Sequence, residues 1–228
     1  MAWKTSKTSS LTPQIVAQVD RGVDIMREGG VVAFPTDTVY GLGASAFNLE
    51  AAERIYEIKQ RPRSAPFPIL IADKEQLVSV AEVIPEIARV LIDHFWPGGL
   101  TLVLVKSVSL HGSIAVGDDR IAVRLPDNVI TIALIRGLGV PVIGTSANIS
   151  GKPNILTAQE VKRQLGDRVD LVIDGGKCPG GVESTVVDVT GGVPVILRQG
   201  IIVGGEIEEV CKGTNIKEVK RSDYRSGL

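Results

Sequence analysis

The sequence predicts an α/β protein whose twisted sheet mixes parallel and antiparallel strands and is flanked by helices. Three observations carry this expectation. Apolar residues at helical spacing alternate along the chain with short, β-branched apolar runs. Glycine and proline, 25 and 12 of the 228 residues, punctuate the boundaries between them. Two late strands, 184–189 and 193–198, are separated only by a turn containing TGG, too short for the crossover that parallel pairing needs. The sheet must therefore be mixed.

Taken in order, residues 1–11 form a polar arm or edge strand, 12–205 one domain, and 206–228 a short appendage or tail. Thr12 and Pro13 provide an N-cap and a first-turn proline. Ile15, Val16, Val19, Val23 and Met26 then mark a helix that Gly29 and Gly30 stop. Val31 to Phe34 is a strand, 50–59 a helix ending before Pro62, and Ile69 to Ile71 a further strand. A helix starts near Pro85 and ends around His94, and the WPGG turn leads into strand 100–105. Ile114 and 121–125 are read as an extended pair around a GDD turn. Residues 129–135 are helical, closed by Gly137 and Gly139, and 140–144 re-enters the sheet. Helix 158–165, strand 169–173 and the two late strands complete the domain. A small helix follows Gly205.

Composition narrows the function. Hydrophobic residues make up 44% of the chain but aromatics only 4%, so the core is aliphatic. A formal net charge of -1 gives no bulk attraction to polyanions. Cys178 and Cys211 lack the density or spacing of a disulfide or zinc framework, and His94 and His111 cannot build a three-histidine centre. The start has no signal-like apolar run, and no apolar stretch reaches membrane-spanning length. A cytoplasmic protein is the expectation, its cysteines suiting a reducing compartment.

Four polar segments interrupt apolar strands near their ends. In PTDTVYGLG, Thr36, Asp37, Thr38 and Tyr40 occupy an expected strand-to-helix connection, where open α/β sheets place ligands. Gly41 and Gly43 would let backbone amides approach such a ligand; an Asx-type turn with Tyr40 packed over the sheet is the plain alternative. In KQRPR, Lys59, Arg61 and Arg63 either complement a helix dipole or reach phosphate oxygens. Arg124 ends a strand, and the GTSANISG loop offers Thr145, Ser146, Asn148 and Ser150 as ligand groups or turn caps. GGKCPGGVEST carries Ser184, and Arg198 closes the next strand. Asp118, Asp119 and Asp188 are read as charged turns or sheet rim. There is no P-loop, dinucleotide fingerprint or GxSxG elbow, so no serine is marked as a nucleophile. Such convergence suits a concave site for a charged, oxygen-rich ligand.

The ordered set PTDTVYGLG, KQRP, FWPGGLTLVL, IAVRLP, TSANISG, ESTVVDV and LRQG closely resembles the YrdC/Sua5 family of threonylcarbamoyl-adenylate synthases, from about Thr12 through Ile202. The resemblance implies a YrdC-like fold with an open cationic cleft. It implies conversion of L-threonine, bicarbonate or CO2, and ATP with Mg2+ to threonylcarbamoyl-AMP and pyrophosphate. The product serves N6-threonylcarbamoylation of adenosine 37 of certain transfer RNAs through a separate transferase complex. No stable tRNA binding and no membrane would be required.

By residue, it implies catalytic electrostatic and positioning roles for Lys59 and Arg61. ATP binding would fall to Lys59, Arg61, Asn148 and Arg198, and threonine binding to Thr36, Arg124, Ser146 and Ser184. Tyr40 would shape the pocket, and no protein metal ligand is implied. The chain departs from the family pattern at Leu70, where longer relatives carry a histidine, and at Gly99 and Thr145, where proline is common. Thr145 leaves room for a YciO-like nucleotide- or RNA-binding protein without synthase activity. A hydrogenase-maturation type of carbamoyl-transfer domain is disfavoured by the lack of companion domains, and the second domain of long Sua5 proteins is not expected in 206–228.

Overall fold

The computed structural model describes residues 11–63, 65–110, 119–212 and 217–218. The expected arm (but for Leu11), Ile114, most of the GDD turn, His111 and most of the tail lie outside them. Helix α1, Pro13–Arg27, begins where the Thr12 hydroxyl accepts from the Ile15 amide, and it buries Val19, Val23 and Met26. Gly29, at φ 84°, then turns the chain into β1, Val32–Phe34. Helix α2, Leu49–Lys59, is capped by Asn48 and stopped by Gln60 in the left-handed region, at φ 52°. Lys59 is thus its last residue and Arg61 lies just beyond.

Strand β3, Ile69–Leu70, follows, and helix α4, Glu86–Phe95, leads into β5, Leu100–Lys106. Strand β6, Arg120–Arg124, precedes helix α5, Val129–Leu138, which Asn128 caps and Gly139, at φ 84°, ends. Gly137 lies inside α5 rather than closing it. Then come β7, Val142–Ile143, helix α6, Ala158–Leu165, with a Thr157–Glu160 capping box, and β9, Leu171–Val172. Strands β10, Thr185–Asp188, and β11, Val195–Arg198, are followed by helix α7, Gly204–Val210, and β12, Lys217–Glu218.

Several elements depart from the expectation. Gly41–Gly43 is β2, so PTDTVY joins two antiparallel strands and not a strand to a helix. A short helix α3, Leu77–Val80, and strand β4, Ala81–Val83, precede α4, and Thr145–Ser146 forms β8. The strands also divide into two sheets. The smaller runs β8-β2-β1-β9; the larger runs β12-β11-β10-β5-β6-β3-β7, with β4 on β5. Both are mixed: β1 pairs antiparallel with β2 and parallel with β9, while β10 pairs antiparallel with β11 and parallel with β5.

Helices cover the outer surfaces. Helices α1 and α5 pack on Val32, Phe34 and Val142 in one cluster. The larger core joins α2, α4 and α6 to the inward residues of β5 and β6. Each fully buried aliphatic side chain there contributes roughly 1.5–3 kcal/mol. Tyr40 is fully buried, its hydroxyl donating to the Gly176 carbonyl at 3.0 Å and accepting from the Gly175 amide.

The β2 glycines serve packing. A Cβ at Gly43 would lie 2.1 Å from the Ile143 carbonyl oxygen and 2.9 Å from Val142 Cγ1, so the two sheets approach where only glycine fits. Gly43→Ala is expected to cost about 1–3 kcal/mol and to lower Tm by several degrees. Gly191→Ala, with no atom within 4 Å of the new methyl, should leave Tm unchanged; equal melting of both variants would refute the packing account.

Candidate active site

An open cleft lies between the two sheets. Strand pleat decides what lines it. Along β6, Ala122 and Arg124 face the cleft while Ile121, Val123 and Leu125 enter the core. Ser184 and Val186 face it around the start of β10, with Val187 inward, and Thr101 and Arg198 join from β5 and β11. The β1–β2 connection supplies Thr36, Thr38 and Val39 as a wall; Ser146 of β8 and Arg61 complete it.

Arg124 is held on three sides. Its Nε donates to the Gly98 carbonyl at 2.9 Å, Nη1 to the Thr38 hydroxyl at 3.0 Å and Nη2 to Asp37 at 2.6 Å. The WPGG turn supplies Gly98, with Trp96 buried beneath and bonded to the Leu100 carbonyl. Thr36 is 4% exposed, and its hydroxyl donates to the Val39 carbonyl while accepting from the amides of Thr38 and Val39. The segment does form a turn at the cleft wall, but on the Thr36 hydroxyl and not of the Asx type expected, because the Asp37 carboxylate is taken by Arg124.

Lys59 is only 2% exposed. Its ammonium donates to the Ser146 carbonyl at 2.5 Å and the Asn148 carbonyl at 2.8 Å, with the Asn148 side-chain oxygen at 3.3 Å. Ser146 donates to that same oxygen at 2.6 Å, and the Asn148 amide donates to Lys152. Lys59 thus stands behind the wall and clamps the SAN turn. Burial, then the Arg61 charge, push it down to about 7, while Glu183 pulls the other way. Arg61 reaches the cleft with its Nε on the Ala65 carbonyl at 3.0 Å and its guanidinium 5.3 Å from the Phe67 ring centroid. Burial lowers its pKa and Arg198 adds to that effect, while Tyr56 and Glu183 oppose it.

Arg198 donates to the Ser184 carbonyl through Nε and Nη2 and to Glu183 through Nη1 at 2.8 Å. The Ser184 hydroxyl lies 2.8 Å from that of Thr101. Thr36, Arg61, Arg124, Ser146, Ser184 and Arg198 therefore share one cleft. Lys59 and Asn148 support it from behind, and Tyr40 lies beneath, its hydroxyl on the 173–176 loop. His94 is exposed on α4, while Cys178 and Cys211 are buried free thiols that burial pushes up.

Sequence reasoning missed Glu183, the one carboxylate among the described residues lining the cleft, and the apolar floor of Pro66, Pro68, Leu70, Ala122 and Val186. Period-two alternation from Arg124 and Ser184 would have found Ala122 and Val186. Nothing local marks Glu183 as the partner of an arginine on the following strand.

A profile of the Sua5_yciO_yrdC family, described as Telomere recombination, matches residues 24–200. Threonylcarbamoyl-AMP synthase of Bacillus subtilis is 43% identical over 207 residues, 90% of this chain and 59% of the relative. The crystal structure of Pyrococcus abyssi Sua5 complexed with L-threonine superposes with a TM-score of 0.83 at 45% identity, covering 87% of this chain and 58% of that one. Escherichia coli YciO superposes at 0.71 and 30% identity, covering 83% and 91%. The chain thus spans between half and two thirds of the length of these synthase relatives. Its ordered motifs close around one cleft, and the profile covers most of its length: the chain belongs to the YrdC/Sua5 family.

Proposed function

We propose that the chain is an L-threonylcarbamoyladenylate synthase acting on L-threonine, bicarbonate or CO2, and ATP. The observation that carries this reading is the gathering of Arg61, Arg124 and Arg198, each on its own mount, around one open cleft. Two anionic reactants need that field to meet. Relatives named as synthases, at 43% and 48% identity, support it above the YciO-like reading, at 32%.

In the proposed reaction the threonine amine attacks the carbon of CO2 or bicarbonate. A C–N bond forms, the nitrogen loses its proton, and water leaves if bicarbonate is used. A carbamate oxygen then attacks the α-phosphorus of ATP, and the bond to the bridging oxygen breaks with its electron pair on pyrophosphate. Arg124 would take the threonine carboxylate, sharing its donors with Asp37 and Thr38. Ser146 and Ser184 would orient the amino acid by their hydroxyls, and Thr36 by holding the wall. Arg61 and Arg198 would bind phosphate oxygens. Asn148, with Lys59 behind it, would fix the nucleotide side of the SAN turn. For Lys59 to touch phosphate directly it would have to leave one of its carbonyl acceptors. No side-chain nucleophile is needed; positioning supplies much of the rate.

Mg2+ would enter as the counter-ion of ATP. Among the described residues no three His, Cys, Asp or Glu side chains converge on a cation site. Asp37 and Glu183 are each engaged by an arginine. The adenylate would pass to a transferase complex that modifies tRNA, and the net charge of -1 fits a protein that need not hold RNA itself. No helix among the described residues is long and apolar enough to cross a membrane.

Incubation with ATP, Mg2+, bicarbonate and L-threonine should yield pyrophosphate and a threonine-containing adenylate. Product with valine but none with threonine would reject the substrate assignment. Arg124→Gln should raise the KM for threonine at least about tenfold, about 1.4 kcal/mol, with the KM for ATP little changed; an equal rise in both would remove its assigned role.

Lys59 gives a test apart from turnover. Its folded value of about 7 lies below the unfolded one, so the unfolded chain binds more protons between about pH 7 and 10. Stability tied to Lys59 is complete above the unfolded value and lost as pH falls toward 7. Relative to Lys59→Met, the wild type should gain about 2 kcal/mol between about pH 7 and 9 in denaturant melts. Parallel pH curves would show that the ammonium is not destabilised.

A further inference from the structure

Glu183, the one carboxylate among the described residues that line the cleft, sits where anionic ligands would be repelled, and the activity proposed above gives it no task. We infer that Glu183 is a positioning residue that occupies Arg198 in the empty cleft and competes with phosphate for it. The inference rests on the synthase reading and extends it to how the polyphosphate leaves.

The geometry supports a placeholder. Glu183 Oε2 accepts from Arg198 Nη1 at 2.8 Å, and both side chains are about one third exposed, at 32% and 34%. The pair is therefore reachable by a ligand from the cleft mouth, unlike the Arg124–Asp37 pair, where exposures are 8% and 16%. A pair this open to solvent is worth little, so an incoming phosphate can replace the carboxylate at low cost. The other edge of Arg198 stays on the Ser184 carbonyl, which keeps the guanidinium in place during the exchange.

The mount of Glu183 is rigid. Its carbonyl accepts from the Ile201 amide at 2.9 Å, and Gly200 packs so closely that a Cβ there would lie 2.2 Å from that oxygen. The Gly200 amide is in turn bonded to the Thr185 hydroxyl at 2.9 Å. The carboxylate thus has a short reach and a fixed base beside Arg198. Its charge also acts on Lys59 and Arg61, supporting the ionised form of each. One negative group therefore relieves repulsion among the cations while no ligand is present.

Competition of this kind has a distinct signature. It weakens binding of polyphosphate and speeds its release, so removing the charge tightens binding and slows turnover when release limits it. A merely structural ion pair would lose affinity and rate together.

Inorganic pyrophosphate is the probe, titrated calorimetrically into the whole chain. Glu183→Gln should bind it about three- to tenfold more tightly than the wild type, while kcat falls and the KM for ATP falls with it. Glu183→Asp keeps the charge on a shorter arm and should bind pyrophosphate no more weakly than the wild type; it carries the test alone if the glutamine variant does not fold, and weaker binding by it would overturn the proposal. Equal or weaker pyrophosphate binding by Glu183→Gln would likewise overturn it and leave the synthase reading standing. Absence of binding to every form, with no adenylate made, would overturn both.

Discussion

Gathering cations in one cleft is the constraint around which the site is built. Like charges a few ångströms apart repel by about 4 kcal/mol even at an effective dielectric near 20, and burial removes the water that would screen them. Each cation here is met by fixed acceptors. Lys59 rests on the carbonyls of the SAN turn, Arg61 on Ala65 and the Phe67 ring, Arg124 on Gly98, Thr38 and Asp37, and Arg198 on Ser184 and Glu183. Most of these acceptors belong to turns. That is why the chain places polar turns at the ends of apolar strands: the turns orient carbonyls that a regular strand would spend on its neighbours.

Much of this was legible where local chemistry decides. Thr12, Pro13, Gly29 and Gly139 mark helix ends because capping and positive φ are properties of single residues. Alternation along β6 placed Arg124 opposite its core-facing neighbours. The β1–β2 hairpin was not legible, since GLG has no β-branched residue and is too short to show a period. Its partners in β1 and β8 make it a strand. Division into two sheets has no local signal either, because it follows from which distant strands pair. The counter-ions escaped for the same reason: Asp37 and Arg124 are 87 residues apart, and nothing in either segment names the other.

The departures from the family pattern can now be weighed by what they touch. Thr145 pairs with Leu42 on β8, an edge strand of the smaller sheet, where proline and threonine are both tolerated. At Gly99 a Cβ would lie 2.3 Å from Ile201 Cγ2, so glycine there and isoleucine at 201 form one packing unit. Leu70 stands in the same relation to Gly144, whose added Cβ would lie 2.3 Å from Leu70 Cγ. Two of the three are compensated contacts and one is an edge position. None carries a charge or an acceptor for Lys59, Arg61, Arg124 or Arg198. Leu70 and Thr145 line the cleft and Gly99 does not, so the departures bear mainly on packing and are weak grounds for a change of chemistry. A branch that had lost the synthase reaction should instead show its changes among the cations or the turns that hold them, and those are the parts of this chain that match the family motifs.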